Sequence, residues 1–246
     1  MDEWIDYYDS THTIYVSKLH RELHFKLIAR DIIAYIDRPD SVVLDYACGE
    51  ALSSTQVADA CGTLILAEAA PGVRGRLIAR FAPDTRIKVR SLQEVRNMPE
   101  KSVDLAVMNS VSQYMTADEL DQALQVLRRL LKPSGRLVLG DVLRPQVGMF
   151  RDVIALLRFA AMHGFFRDAL IGLVSTALSD YRELRKNLGL KRYGEAEMIA
   201  KLERNGLIGT RVRTNIGYNP WRMTFVAVHA PGAERSPKFS NSLTAG

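Results

Sequence analysis

Cysteine is scarce in this chain: Cys48 and Cys61 are the only two in 246 residues. They form no Cys-x-x-Cys pair, so neither a disulfide framework nor a metal site is expected, and a reducing, cytoplasmic setting suits both. Long apolar runs are missing too. A membrane-spanning helix needs about 18 or more consecutive apolar residues, and the nearest candidate, residues 169–179, falls short. That leaves peripheral contact as the only membrane association to consider. The opening residues, Met1 to Asp9, are acidic and lack the basic-then-apolar order of a secretory signal. Aromatic content is 8% and the net charge only +5, with no basic cluster interleaved with aromatics, so no nucleic-acid partner is expected. There are no internal repeats. What is present is an ordinary globular composition, 47% hydrophobic and 25% charged, long enough for one large domain.

Leu19, Leu23, Leu27 and Ile28, then Ile32, Ile33 and Ile36, fall at helical spacing and predict helix within residues 1–37. Pro39-Asp40 ends it, giving an N-terminal helical cap over 1–39. Strands and helices then alternate. Strands are expected at 42–45, 63–67, 86–90, 103–108 and 136–140, with helices at 52–60, 73–81 and 117–131. The last of these helices carries Leu120, Leu124, Leu127, Leu130 and Leu131 on one face. Such alternation implies βαβ units in a doubly wound, mostly parallel α/β sheet, with ligand bound at the carboxyl ends of the strands. Residues 146–190 interrupt the pattern as a helical insertion, with apolar stretches at 149–162 and 165–178 and a more charged one at 179–188. A helix at 195–205 and strands near 209–214 and 223–229 complete seven strands. The main domain is thus 40–230, and 231–246, rich in Ser, Pro, Gly and Ala, is a flexible tail.

The most informative segment is 42–51. The apolar run Val42-Val43-Leu44 ends in Asp45, and small residues follow at alternate positions: Ala47, Gly49 and Ala51. A buried strand, a tight turn of small residues and a helix start make a nucleotide cradle, because small side chains admit the ligand and free N–H groups face it. The segment resembles the first motif of the class I S-adenosylmethionine-dependent methyltransferases, with alanine at two of the three usual glycine positions. Glu68, 23 residues after Asp45, matches the acidic residue ending that family's second strand. Ser91-Leu92, Asp104 to Val111 and Leu131-Lys-Pro-Ser-Gly-Arg-Leu137 are similar to its later motifs. The likeness covers 40–145 well and 193–230 more loosely. It implies a Rossmann-like sheet with an antiparallel last strand, and S-adenosyl-L-methionine as cofactor. It also implies cofactor contacts from Asp45, Ala47, Cys48, Gly49, Glu68, Ala69, Ser91, Leu92, Asn109, Ser110 and Tyr114. A dinucleotide dehydrogenase is disfavoured, since Leu52 stands where the third glycine of its fingerprint belongs.

The acceptor is open: a small molecule, or a glycan-like or lipid-like one, anionic or apolar. Methyl transfer needs mainly alignment, with a base only where the acceptor loses a proton. By position, Asp141, Tyr114, His163 and Tyr218 are the catalytic candidates, and Gln113 and Tyr114 are candidates for orienting the acceptor. Arg144, Arg151 and Arg158 recur every seven residues and would share a face of one continuous helix, either as a solvated stripe or as an anion contact. The apolar remainder of the insertion reads as core or a homodimer surface before a lipid-facing one. His20 and His24 lie at i, i+4 but without a third ligand, and are expected on a helix surface. The two alanines keep a second reading alive, a non-catalytic binding or scaffold protein with a degenerate methyltransferase fold.

Overall fold

A computed structural model describes residues 15–177 and 189–231. The helix expected before residue 15, the charged stretch at 179–188, and the tail beyond 231 lie outside the described residues. Seven strands form one sheet: β1 (Val42–Tyr46), β2 (Thr63–Ala67), β3 (Ile87–Arg90), β4 (Val103–Asn109), β5 (Leu131–Val142), β6 (Leu207–Val212) and β7 (Met223–His229). Their order is β3-β2-β1-β4-β5-β7-β6. The first five pair in parallel, and β7 runs antiparallel to both β5 and β6. The strand order reverses between β1 and β4, and ligands of such folds bind at the carboxyl ends of those strands.

Alternation along each strand divides the core between two faces. Val43, Leu64 and Leu66 face α1 (Lys18–Ile33), α2 (Ser54–Asp59) and α3 (Pro71–Phe81). Leu44, Ala106, Leu137 and Leu139 face α5 (Ala117–Leu130) and α8 (Glu195–Arg204) on the other side. Between β3 and β4 lies the short α4 (Leu92–Arg96). Helix α5 opens with a capping box between Thr116 and Glu119 and buries Leu120, Leu124, Leu127 and Leu130 completely. Each such leucine contributes about 1.5–3 kcal/mol. Leu131 is extended instead of helical and begins β5. Pro133 accounts for this, since it removes an N–H and forces its predecessor Lys132 toward extended backbone. The expected helix at 52–60 is shorter than its pattern, Ser54–Asp59, because the chain is still turning at Ala51.

The insertion is a helical hairpin of α6 (Met149–His163) and α7 (Phe166–Ala177), turned at Gly164 with φ of 79°. It packs with α1 through Leu156, Phe159, Phe165, Val16, Leu23 and Leu27. Among the described residues no helix is long and apolar enough to cross a membrane, and no group of three or more His, Cys, Asp or Glu side chains could hold a metal ion.

Candidate functional site

Five non-glycine residues among those described have positive φ. Four of them stand at the carboxyl ends of adjacent strands: Ala47 (57°) and Ala51 (44°) after β1, Ser110 (58°) after β4, and Asp141 (57°) within the end of β5. Left-handed backbone is uphill for residues with a Cβ and clusters at functional sites. Both alanines therefore take the conformation that glycine would take more easily, alongside Gly49 at 60°. A methyl group at Gly49 would meet nothing within 4 Å, so the turn has open space beside it.

Glu68 ties this turn to the next strand. It is only 7% exposed. One carboxylate oxygen accepts the Gly49 N–H and the other the Ala70 N–H, each at 2.8 Å. Arg74 in turn donates to the backbone carbonyls of Glu68 and Ala69 at 3.0 and 3.1 Å. Burial raises the Glu68 carboxyl while those N–H bonds oppose the rise. Asp45 is pushed up to about 7 by burial and then by the neighbouring charge of Glu68. The same burial and the two carboxylates push the Cys48 thiol up, away from thiolate chemistry. Ser91 caps α4 in a reciprocal box with Glu94, so its hydroxyl is engaged there and Leu92 follows as the first helical residue.

The mouth between β4 and β5 is tied by a polar network. Ser110 Oγ donates to Asp141 at 2.8 Å, and Asn109 Nδ2 donates to Ser110 Oγ at 3.3 Å. Asn215, from the loop before β7, donates to the Asp141 carboxylate at 3.2 Å and accepts the Asp141 N–H at 3.1 Å. Thr224 donates to the Asn215 side-chain oxygen at 2.9 Å. Burial raises the Asp141 carboxyl against the opposing pull of Arg222, Ser110 and Asn215. Within the same short stretch Asn109 Oδ1, Ser112 Oγ and Gln113 Oε1 are buried without hydrogen-bond partners, whereas the Gln113 amide donates to the Ser110 carbonyl at 2.8 Å. Tyr114, half-buried, ends the 3₁₀ turn there.

Helix α1 forms the roof. Its Arg21 makes a two-pronged ion pair with Glu50, the residue between Gly49 and Ala51. Arg80 donates to the Glu50 carbonyl at 2.6 Å. His20 and His24 are not on a surface. His20 is 4% exposed and stacks on Phe165 with ring centres 5.3 Å apart, while Phe159, Tyr15 and Tyr218 approach it edge-on. The helix turns this side inward because the hairpin's aromatics cover it, a contact from far along the chain. Burial holds His20 near 4 and His24 near 3, so both are neutral at physiological pH. Of the catalytic candidates, Asp141 and Tyr114 stand at the strand ends. Tyr218 stacks on Phe159 at 4.6 Å, and burial, helped by the Asp141 charge, raises its hydroxyl. His163 is exposed at the end of α6, against Phe159 of its own helix.

The three-arginine face does not form. Arg144 precedes the helix, which starts only at Met149, and its carbonyl accepts from Arg192 at 3.3 Å. Arg151 and Arg158 do share a face, and both lie over the Trp221 ring, 6.0 and 5.9 Å from its centre. Sequence reasoning passed over four participants: Arg21, Asn215, Thr224 and Trp221. Thr224 left a signal, as a polar residue in the otherwise apolar Met223 to Val228 run.

The donor set fits the cofactor implied by the turn. It offers backbone N–H groups, open space at Gly49, a carboxylate for ribose hydroxyls and a pair of acidic groups suited to a ligand with positive charge. Residues 44–139 match the family model described as "Methyltransferase domain". A protein of Synechocystis sp. described as an uncharacterized methyltransferase is 28% identical over 118 residues, covering 48% of this chain. The chain spans about half of that relative's length, 55%. Among solved structures, a complex of DhpI with S-adenosylhomocysteine superposes with a TM-score of 0.60 at 12% identity, over 94% of this chain and 97% of that one. The 1,6-didemethyltoxoflavin-N1-methyltransferase of Burkholderia thailandensis, solved with its named acceptor and S-adenosylhomocysteine, gives 0.59 at 14% identity, over 93% and 86%. At such identities these two likenesses speak for the fold.

Proposed function

We propose that the chain is a class I S-adenosylmethionine-dependent methyltransferase that transfers a methyl group from S-adenosylmethionine to a small-molecule acceptor. The observation that carries this reading is Glu68 spanning the left-handed turn and the end of β2 through the Gly49 and Ala70 N–H groups. When bound, the cofactor supplies a methyl group already activated on a sulfonium. We assign the protein's part to alignment. Glu68 would offer its remaining lone pairs to ribose hydroxyls, and Asp45 would balance the cofactor's positive charge. The backbone of Ala47, Cys48 and Gly49 would hold the amino-acid end. Ala69, Ser91 and Leu92 would line the base, and Asn109, Ser110 and Tyr114 would stand between cofactor and acceptor.

The acceptor is assigned to the space between the strand ends and the cap of α1 and the hairpin. A neighbour named for a small-molecule acceptor, 1,6-didemethyltoxoflavin, supports a ligand of that size. Where the acceptor must lose a proton, Asp141 is the group assigned to receive it through Ser110 Oγ, since the two are already hydrogen-bonded. The free thiols of Cys48 and Cys61 support a cytoplasmic setting.

Titration of the purified chain with S-adenosylmethionine and S-adenosylhomocysteine tests the reading. Both should give calorimetric heat and raise the melting temperature. Glu68→Gln keeps the shape and one acceptor oxygen but loses the charge, so cofactor affinity should fall about 10–100-fold, the worth of a charged hydrogen bond. Unchanged affinity would refute the ribose assignment. No response to either ligand would instead favour the scaffold reading.

A further inference from the structure

The three most exposed large apolar side chains among the described residues are Phe150 (75%), Met162 (73%) and Ile171 (70%). All three lie on the α6–α7 hairpin, which the sheet does not need for its own closure. Phe166 and Leu170 of the same hairpin are also exposed. At 3.6 residues per turn, Phe150, Arg151, Arg158 and Met162 fall within an arc of about 120° on α6, and Phe166, Arg167, Leu170 and Ile171 within about 140° on α7. Arginine is therefore interleaved with bulky apolar groups on both exposed faces. Trp221, half-buried beneath Arg151 and Arg158, adds an amphipathic ring at the edge. The acidic groups are few: Asp168 is exposed, and Asp152 is taken up by Arg222 at 2.9 Å.

We infer that this hairpin face docks on an anionic lipid surface. Charge decides between the two occupants an apolar face invites. A two-fold contact with a second copy would set the same net-positive patch against itself. A leaflet of anionic headgroups instead complements Arg151, Arg158 and Arg167 while Phe150, Met162 and Ile171 enter the acyl boundary. The contact is peripheral, and it stands independently of the methyl-transfer reading.

Co-sedimentation of the full chain with vesicles tests it. Vesicles of phosphatidylcholine with 30% phosphatidylglycerol should retain the protein at low salt, and pure phosphatidylcholine vesicles several-fold less. The double substitution Met162→Glu, Ile171→Glu should lower partitioning at least tenfold. Arg167→Ala should lower it about fivefold, the share of one cation near a charged leaflet. Ile78→Glu, an exposed apolar residue on α3, should leave it unchanged. Binding of S-adenosylhomocysteine by each variant reports folding and separates a failure here from a failure of the cofactor reading. No retention on anionic vesicles, equal retention on both compositions, or retention insensitive to the double substitution would overturn the inference. So would a dimer, seen by light scattering, that the same double substitution dissolves while vesicles are ignored.

Discussion

Replacing Ala47 and Ala51 one at a time by glycine separates conformational strain from packing within a single turn. Left-handed backbone costs an alanine about 1–2 kcal/mol relative to its preferred basin. Glycine removes that cost but adds about 0.4–1 kcal/mol of unfolded-state freedom. Ala47 is half-buried and loses little contact on truncation, so Ala47→Gly should stabilise the fold by about 0.5–1 kcal/mol. Ala51 is 5% exposed and packs in the core beneath β1. Its methyl group carries about 0.8 kcal/mol of burial, so Ala51→Gly should come out near zero. With an unfolding entropy of about 0.5 kcal/mol/K for a chain of this size, the Ala47 variant should melt about 1–2 °C higher. Urea unfolding at constant slope is the sharper assay. Cofactor affinity should hold or improve in both. A destabilised Ala47→Gly, or an Ala51→Gly that gains as much, would show that the turn stores no strain at these positions.

Two further outcomes follow from buried charge. Asp45 titrates near 7 in the fold against about 4 when unfolded. Its contribution to stability is therefore complete below about pH 4 and is lost as pH rises through 7. A cationic ligand prefers the ionised form, so S-adenosylmethionine affinity should fall toward tenfold per unit as pH drops below 7, and Asp45→Asn should remove that slope while raising the melting temperature more at pH 8 than at pH 5. In the second case Lys201, 4% exposed, pairs with Asp121 at 2.8 Å and donates to the Ala117 carbonyl, pinning α8 to α5. Asp121→Ala strands a buried ammonium and should cost about 3 kcal/mol, whereas Lys201→Met leaves a hydratable carboxylate and should cost about 1 kcal/mol, both read by denaturant unfolding. Equal losses would contradict this asymmetry.

The sheet was legible because its signals are local. Thr63 to Ala67 is an apolar run bounded by Gly62 and Glu68, and it forms β2 without adjustment. The leucine stripe of α5 and the Asn205-Gly206 stop of α8 are likewise carried by neighbouring residues. The meeting of Asp45, Gly49 and Glu68 was legible because one βαβ step fixes their relation. Contacts between distant segments were not. Arg21 reaches Glu50, and Asn215 reaches Asp141, across stretches with no spacing rule to announce them. The inward face of His20 depends on Phe159 and Phe165, so a helix pattern read alone puts that residue on the wrong side. The arginine repeat failed for a simpler reason: a seven-residue period has meaning only inside one helix, and Arg144 lies outside it.

The position of β7 governs how the molecule is made. It sits between β5 and β6, yet it is the last strand among the described residues. Ribosomal synthesis delivers β1 to β5 first and leaves the edge of β5, with Leu137, Val138 and Leu139, unpaired. About 80 further residues separate the end of β5 from the start of β7, which at about 5–20 residues per second amounts to about 4–16 s of open edge. For that interval the nascent chain presents an apolar strand ready to pair with any other. The period of greatest aggregation risk thus falls before His229 is added, and slowing translation between 142 and 223 should lower the soluble yield with no change in the finished protein's stability.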